Sequence, residues 1–295
     1  MTRVLVTGGA GVIGSHLVER LLGEGHEVTV ADDLSTGRLH HLQAARRDPD
    51  LPLSFQRLDV TSTALERAIA KAQPEVVLHL ASRADPHAVD DLVRDALVDV
   101  AGTVNLIESC RLHEVRKIVF AGHLDDRARP PATHFLAGKR AAEEYLRTAG
   151  EGGPAWTVLS LAAVYGPRQD PALPRHLVAR IADWMIEGAP VTLAGGPDRA
   201  WDLVAIDDVV DAFVCAIDAG DGMRIEIGSG HATTQAELVT ALAAATGWTG
   251  EPDWLPAEAA EPPRVADLKR AEAIGWAPRT PLADGVAALA AWLRG

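Results

Sequence analysis

Six short apolar runs, Arg3–Thr7, Glu27–Ala31, Leu53–Leu58, Glu75–Leu80, Lys117–Ala121 and Trp156–Ala162, alternate with amphipathic segments through the first half of the chain. Stretches such as VLV, VVLHL and KIVFA show no polar alternation. That pattern predicts strands covered on both faces by helices, as in a parallel sheet. The amphipathic run from about Val12 to Leu22 predicts the first of those helices. Strands and helices in strict alternation predict an α/β fold, a doubly wound parallel sheet. After about Tyr165 the texture changes: prolines crowd in from Pro167 to Pro281, together with six of the seven tryptophans. This predicts a first domain over 1–165 and a smaller, irregular second lobe over 166–295, with a segment at about 202–230 expected to return to the first domain. Glu251–Arg264 reads as a structured Pro-rich loop.

Composition narrows the function classes. Of 295 residues, 47% are hydrophobic and 23% charged, close to globular usage, which excludes disordered, collagen-like and coiled-coil chains. No apolar stretch reaches the roughly 18 residues of a membrane span, and the N-terminal MTRVLVTGGAG lacks the regions of a signal peptide, so a cytoplasmic protein is expected. A net charge of -13 disfavours nucleic acid or an anionic membrane as partner, leaving small molecules. Cys110 and Cys215 read as small buried hydrophobes rather than a disulfide, and no metal is expected.

The strongest chemical signal is TGGAGVIG, Thr7 to Gly14, set between the first strand and the first helix. Gly8 allows the tight turn, Gly11 lets backbone approach a pyrophosphate, and Gly14 permits close packing of helix on strand. The helix N-terminus, at Val12 and Ile13, adds amides and the positive end of its dipole. Asp32 closes the second strand, where dinucleotide sites place an acid on the adenosine ribose. This predicts a Rossmann site for NAD, because a carboxylate there repels the 2′-phosphate of NADP; Arg38 keeps NADP as the alternative. Asp33 can share the ribose, and Ser35, Thr36 and Gly37 complete the same loop.

With these residues the chain resembles the extended short-chain dehydrogenase/reductase family of nucleotide-sugar epimerases and dehydratases. The resemblance runs nearly end to end: TGGAGVIGSH, DDLSTG, LDV at Leu58–Val60, HLAS at His79–Ser82, GTVNLIESC at Gly102–Cys110, VYGPRQDP at Val164–Pro171, IDDVVDA at Ile206–Ala212, IGSG at Ile227–Gly230 and IGWAP at Ile274–Pro278. It implies that Asp59 and Val60 flank the adenine, that Leu80, Ala81 and Ser82 line the cofactor, and that Asp99 stands where the family usually has Asn.

The same resemblance implies a Ser or Thr after the fifth strand and a Tyr-x-x-x-Lys on the next helix. Here the frame lands on Phe135 and Lys139, and the Ser position falls at or next to His123. Phenylalanine cannot move a proton. Tyr145 lies about 240° around the helix from Lys139, and Tyr165 belongs to the VYGP turn. The replacement acid/base is sought among His123, His134, Asp125 and Asp126. His123 comes first, because an imidazole titrates near neutrality and follows the strand bordering the nicotinamide in this fold. Lys139 is expected to hold the nicotinamide ribose.

On the substrate side, the family's Asn before VYG is Ala163, its later Arg is Trp201, and its Arg-Pro-Gly-Asp stretch shrinks to Pro263-Arg264. Arg199 and Arg264 are candidates to replace the phosphate contacts. Arg83, His87, Phe135 and Arg168 are further substrate candidates, and Trp201 can stack on a base or sugar. The expectation is an NAD-dependent enzyme of epimerase/dehydratase type acting on a sugar or sugar nucleotide through transient hydride transfer, with a rebuilt acid/base set. The alternatives are a non-redox isomerase, lyase or cyclase on a non-sugar natural-product scaffold and a dinucleotide sensor without turnover. The resemblance also implies a homodimer packed through a helical segment from about Ala88 to Leu112 and the Lys139 helix.

Overall fold

The computed structural model describes residues 1–83, 92–125, 127–131, 133–149, 152–256 and 262–295. His87 and Asp126 therefore lie outside the described residues. The chain divides into two compact units, one formed by Met1–Ser160 with Val210–Ile225 and the other by Leu161–Val209 with Glu226–Gly295. The segment returning to the first unit is thus shorter at both ends than the 202–230 expected, because Leu203–Ala205 pairs with Ala163–Tyr165 inside the second unit.

The first unit is built on a seven-stranded sheet. Its strands are β1 (Arg3–Thr7), β2 (Glu27–Asp32), β3 (Leu53–Arg57), β4 (Val76–His79), β5 (Lys117–His123), β6 (Ala155–Leu161) and the strand Met223–Ile227. In space the order is Met223–Ile227, β6, β5, β4, β1, β2, β3, so the chain reverses its winding between β1 and β4. β1 pairs in parallel with both neighbours, Thr7 lying beside Ala31 on one side and His79 on the other. In such sheets ligands sit beyond the carboxyl ends of the strands at that reversal, and the glycine loop begins there. The unbroken apolar strands are buried as their pattern requires: Val4, Leu5, Val6, Val76, Val77 and Leu78 are all at most 1% exposed. The helix Val12–Gly23 lays Gly14, Ser15, Leu17, Val18, Leu21 and Leu22 into the core.

Two elements differ from expectation for local reasons. β5 continues two residues past Ala121, to His123. The expected helix over 88–112 is three pieces where described: Leu92–Asp95, a π-helical turn Ala96–Gly102 and Thr103–Leu112. Gly102 ends the wide turn where a side chain would run into Val60.

Lys117, fully buried at the start of β5, donates to the Ala219 carbonyl at 2.5 Å and pairs with Asp221 at 2.6 Å. Both partners lie on the returning segment of the same unit. In the second unit the helices Leu177–Ile186, Gln235–Thr246 and Leu282–Arg294 share a core of Ile181, Met185, Leu238, Leu242, Val286 and Leu289 around Tyr165. Short pairs flank it, Thr192–Ala194 with Asp253–Leu255 and Ala200–Trp201 with Thr233–Thr234. Asp253–Leu255 is thus a strand inside the segment expected to be loop.

Candidate active site

The glycine loop is shaped by close approaches that a side chain would block. Gly8 has φ +70, and a Cβ there would sit 2.8 Å from the Ala81 nitrogen; at Gly14 it would run into the Gly8 carbonyl oxygen. The helix that follows begins at Gly11 with no side-chain cap and no acid in its first turn. Its amides and positive end are left for an anion. Asp32, 6% exposed, accepts the Ala10 amide at 2.9 Å and the Leu34 amide at 2.8 Å, while burial raises its pKa. Gly37 is forced by the same carboxylate, since a Cβ would stand 2.7 Å from an Asp32 oxygen. Asp33 instead folds back on Ser35, accepting its amide and hydroxyl, and Thr36 is exposed.

The other cofactor candidates gather around the same sheet edge. Asp59 accepts the Thr61 amide and hydroxyl, and Val60 is buried. The Leu80 amide donates to the Thr7 carbonyl and the Ala81 amide to the Thr7 hydroxyl, while the buried Ser82 hydroxyl has no partner among the described residues. Asp99, 2% exposed on the π turn, has both carboxylate oxygens unpartnered among the described residues. It lies against Gly138, one residue before Lys139. Two buried polar groups waiting for donors or acceptors fit a hydroxylated ligand at this edge.

At the end of β5, His123, Phe135 and Lys139 converge. The His123 and Phe135 rings meet edge to face at 5.6 Å, and the Lys139 ammonium lies 5.9 Å from the Phe135 centroid and 4.7 Å over Phe120. Lys139 donates to the Ala121 carbonyl at 3.0 Å; burial lowers its pKa, opposed by Asp99 and Glu143. Burial, opposed by Asp125 and reinforced by Lys139 and Arg224, lowers His123 to about 4. The imidazole is therefore neutral at pH 7. His134, by contrast, is exposed at the first residue of the helix His134–Arg147, and Tyr145 is 53% exposed. Asp125 is enclosed by Arg127, Arg140 and Arg224.

The substrate candidates fall in both units. Arg83 pairs with Asp95 at 3.1 Å in the first unit. In the second unit the exposed Arg199 stacks 5.1 Å over Trp201, and Arg264 pairs with Glu226 at 2.6 Å. Arg168 holds a positive φ of 68 in the VYGP turn, which Gln169 locks by bonding Gly166 and Val164.

Comparison with known proteins decides the class. The model of the NAD dependent epimerase/dehydratase family matches residues 4–228. The chain belongs to this family. A UDP-glucose 4-epimerase of Mycolicibacterium smegmatis is 38% identical, covering 97% of this chain and 96% of that protein. Among solved structures, UDP-glucose 4-epimerase of Thermotoga maritima with UDP-glucose is 31% identical with a TM-score of 0.90, covering 99% of this chain and 98% of that one. The UDP-glucose 4-epimerase of Thermus thermophilus, in complex with NAD, is 33% identical with a TM-score of 0.87, covering 99% of each. Like its family, this chain is an NAD-dependent enzyme.

Three residues of this epimerase/dehydratase-family chain gave no individual signal in the sequence. His79 is fully buried between hydroxyls, its Nδ1 2.6 Å from Thr7 and its Nε2 2.9 Å from Thr103. Since Thr103 gives its proton to the Asp99 carbonyl and Thr7 accepts from the Ala81 amide, Nε2 carries the ring hydrogen and Nδ1 accepts. Burial lowers His79 to about 3, consistent with the neutral ring. Asn105 donates to the Val60 and Ser62 carbonyls, fixing the loop after β3. Glu143, one turn beyond Lys139, joins the arginines around Asp125. Only the fold brings these partners together.

Proposed function

We propose that the chain turns over a nucleoside-diphosphate hexose by transient oxidation of a ring hydroxyl, with His123 as the proton acceptor in place of a tyrosine. The observation that carries this reading is the convergence of His123, Phe135 and Lys139 at the end of β5. The substrate class rests on the end-to-end likeness to UDP-glucose 4-epimerases.

The residues present fit the dinucleotide. The uncapped amides at Val12 and Ile13 would take the pyrophosphate, with Gly8, Gly11 and Gly14 giving it room, and Asp32 the adenosine ribose, beside Asp33, Ser35, Thr36 and Gly37. Asp59 and Val60 would flank the adenine, and Leu80, Ala81, Ser82, Asp99 and Lys139 would line the nicotinamide end. NAD supplies a hydride acceptor when bound. A neutral ring nitrogen of His123 takes the hydroxyl proton, and the nearby Lys139 ammonium stabilises the negative charge that develops on the substrate oxygen. Phe135 keeps that pocket apolar. Within the second unit, Arg199, stacked on Trp201, and Arg168 are the candidate cations for a diphosphate. A homodimer is proposed through Leu92, Val93, Leu97 and Tyr145, all exposed apolar side chains on the first unit's helices.

A second reading, an enzyme of the same family on a non-nucleotide scaffold, is favoured by one observation: Ala163 and Trp201 offer no charge, and Arg264 is already paired with Glu226. Denaturing the purified protein and identifying the released molecules by mass spectrometry separates the two. Release of NAD together with a nucleoside-diphosphate sugar supports the first; NAD released alone, with no uridine or thymidine diphosphate bound by the native protein in a following titration, sinks it. His123→Ala should lower turnover about a hundredfold or more with NAD binding retained. Parent turnover in that variant would remove His123 from the chemistry.

A further inference from the structure

The groups behind His123 form a closed ionic cage within the first unit. Asp125 and Glu143, both buried, are met by three arginines from three different segments. Arg127 pairs with Asp125 at 3.1 Å and with Glu143, and Arg140 reaches Asp125 at 2.5 Å from the Lys139 helix. Arg224, on the strand Met223–Ile227, is the member that touches the candidate base directly: its Nη2 donates to the His123 carbonyl at 3.3 Å and to Asp125 at 3.2 Å, while its Nε faces Glu143 at 3.5 Å. Glu143 in turn lies so close behind Gly122 that a Cβ there would meet it at 2.9 Å.

We propose that Arg224 is a positioning residue for this enzyme, its guanidinium tying the main chain of His123 to the carboxylate of Asp125, beside Glu143, so that the imidazole stays against Phe135. This rests on His123 being the proton acceptor. The expected Tyr is absent from the helix, so the group that moves the proton must be aimed from the strand end. A strand end is aimed only if its backbone is held. Nη2 donates to the carbonyl and to Asp125 while Nε stands in ionic range of Glu143, a planar spread of nitrogens that the single nitrogen of an ammonium does not offer. The contact also acts electrostatically. His123 faces Asp125, which favours its protonation, and Lys139 and Arg224, which oppose it; Phe135 contributes only its ring. Arg127, Arg140 and Glu143 complete the charges of the cage.

The test uses the full-length enzyme carrying Arg224→Met, Arg224→Lys, Asp125→Asn or His123→Ala. Readouts are thermal unfolding, NAD binding, kcat and KM for UDP-glucose, and the His123 imidazole titration by NMR. Both Arg224 variants should lose about ten- to a hundredfold in kcat, the cost of a misplaced group, with NAD binding and KM within about threefold of the parent. The His123 midpoint should rise in Arg224→Met, stay near the parent in Arg224→Lys and fall in Asp125→Asn. If Arg224→Met does not fold, Arg224→Lys and Asp125→Asn supply the same readouts. A folded Arg224 variant with parent kcat overturns the proposal, as does one whose loss is matched in NAD binding, which marks general disruption. Parent turnover in His123→Ala overturns the proton-acceptor reading instead, and is scored separately from the Arg224 titration.

Discussion

Phe135 and Asp32 mark the two extremes of what single residues disclose. Asp32 closes a strand about twenty residues after a glycine loop, and its type and place alone predicted a ribose acceptor; its carboxylate bonds to two backbone amides while retaining further acceptor capacity. Asp32→Ala should weaken NAD at least tenfold and narrow the preference over NADP, measured by calorimetric titration of both cofactors; unchanged NAD affinity would move the ribose elsewhere. Phe135 told only what is missing. That His123 takes a place beside it was a ranking among several acids and bases, and the fold separates them: His134 is exposed, Asp125 is held by three arginines, and His123 is half-buried against the Phe135 ring. Its pKa of about 4 gives a pH prediction. A base must be unprotonated to act, so kcat/KM should be flat down to about pH 5 and fall below it, whereas an ordinary histidine gives an acid limb near 6.5. A limb near 6.5 in steady-state profiles would show that the working base is another group.

Elements were legible wherever their pattern is set by the chain itself. The six apolar runs are all strands, and the amphipathic run after the glycine loop is the helix Val12–Gly23. Legibility failed where a partner distant in sequence decides. The wide turn Ala96–Gly102 forms where Gly102 meets Val60, and Asp253–Leu255 is a strand because Thr192–Ala194 lies beside it. Hence Gly14→Ala is expected to be costly: its Cβ has no room against the Gly8 carbonyl, so the loop must open, and NAD binding should be lost even in a folded variant, read by dye-free calorimetry. The helix Gln235–Thr246 offers a milder case. Thr234 and Glu237 satisfy each other's backbone amides in a capping box, so Thr234→Ala should cost about 1 kcal/mol by urea unfolding, with cofactor affinity unchanged.

At the scale of the molecule, two neutral histidines, the fully buried His79 and the half-buried His123, contribute to acid sensitivity. His79 at about 3 and His123 at about 4 both lie below their unfolded value near 6.5. The folded state therefore binds fewer protons than the unfolded one in that window, so stability is complete above about pH 6.5 and is lost as pH falls through it towards 4 and then 3. The melting temperature should drop steeply from pH 6.5 to 4, and His79→Gln should lower it at pH 7.5 while flattening that slope; an unchanged slope would place the acid sensitivity elsewhere. Among the described residues no helix is long and apolar enough to cross a membrane. Light scattering should return twice the 31.2 kDa chain mass, and Leu97→Glu should return it once if the exposed apolar side chains of the first unit form the proposed interface. The bounds of the returning segment depend on strand pairing that no local pattern records. That segment also sets an order of events during synthesis. Lys117 is buried near the middle of the sheet, yet its carbonyl and carboxylate partners, Ala219 and Asp221, are translated about a hundred residues later. A nascent chain released at Ser160 would lack both of that ammonium's partners. The first unit of this enzyme is therefore complete only when the ribosome has passed Ile225.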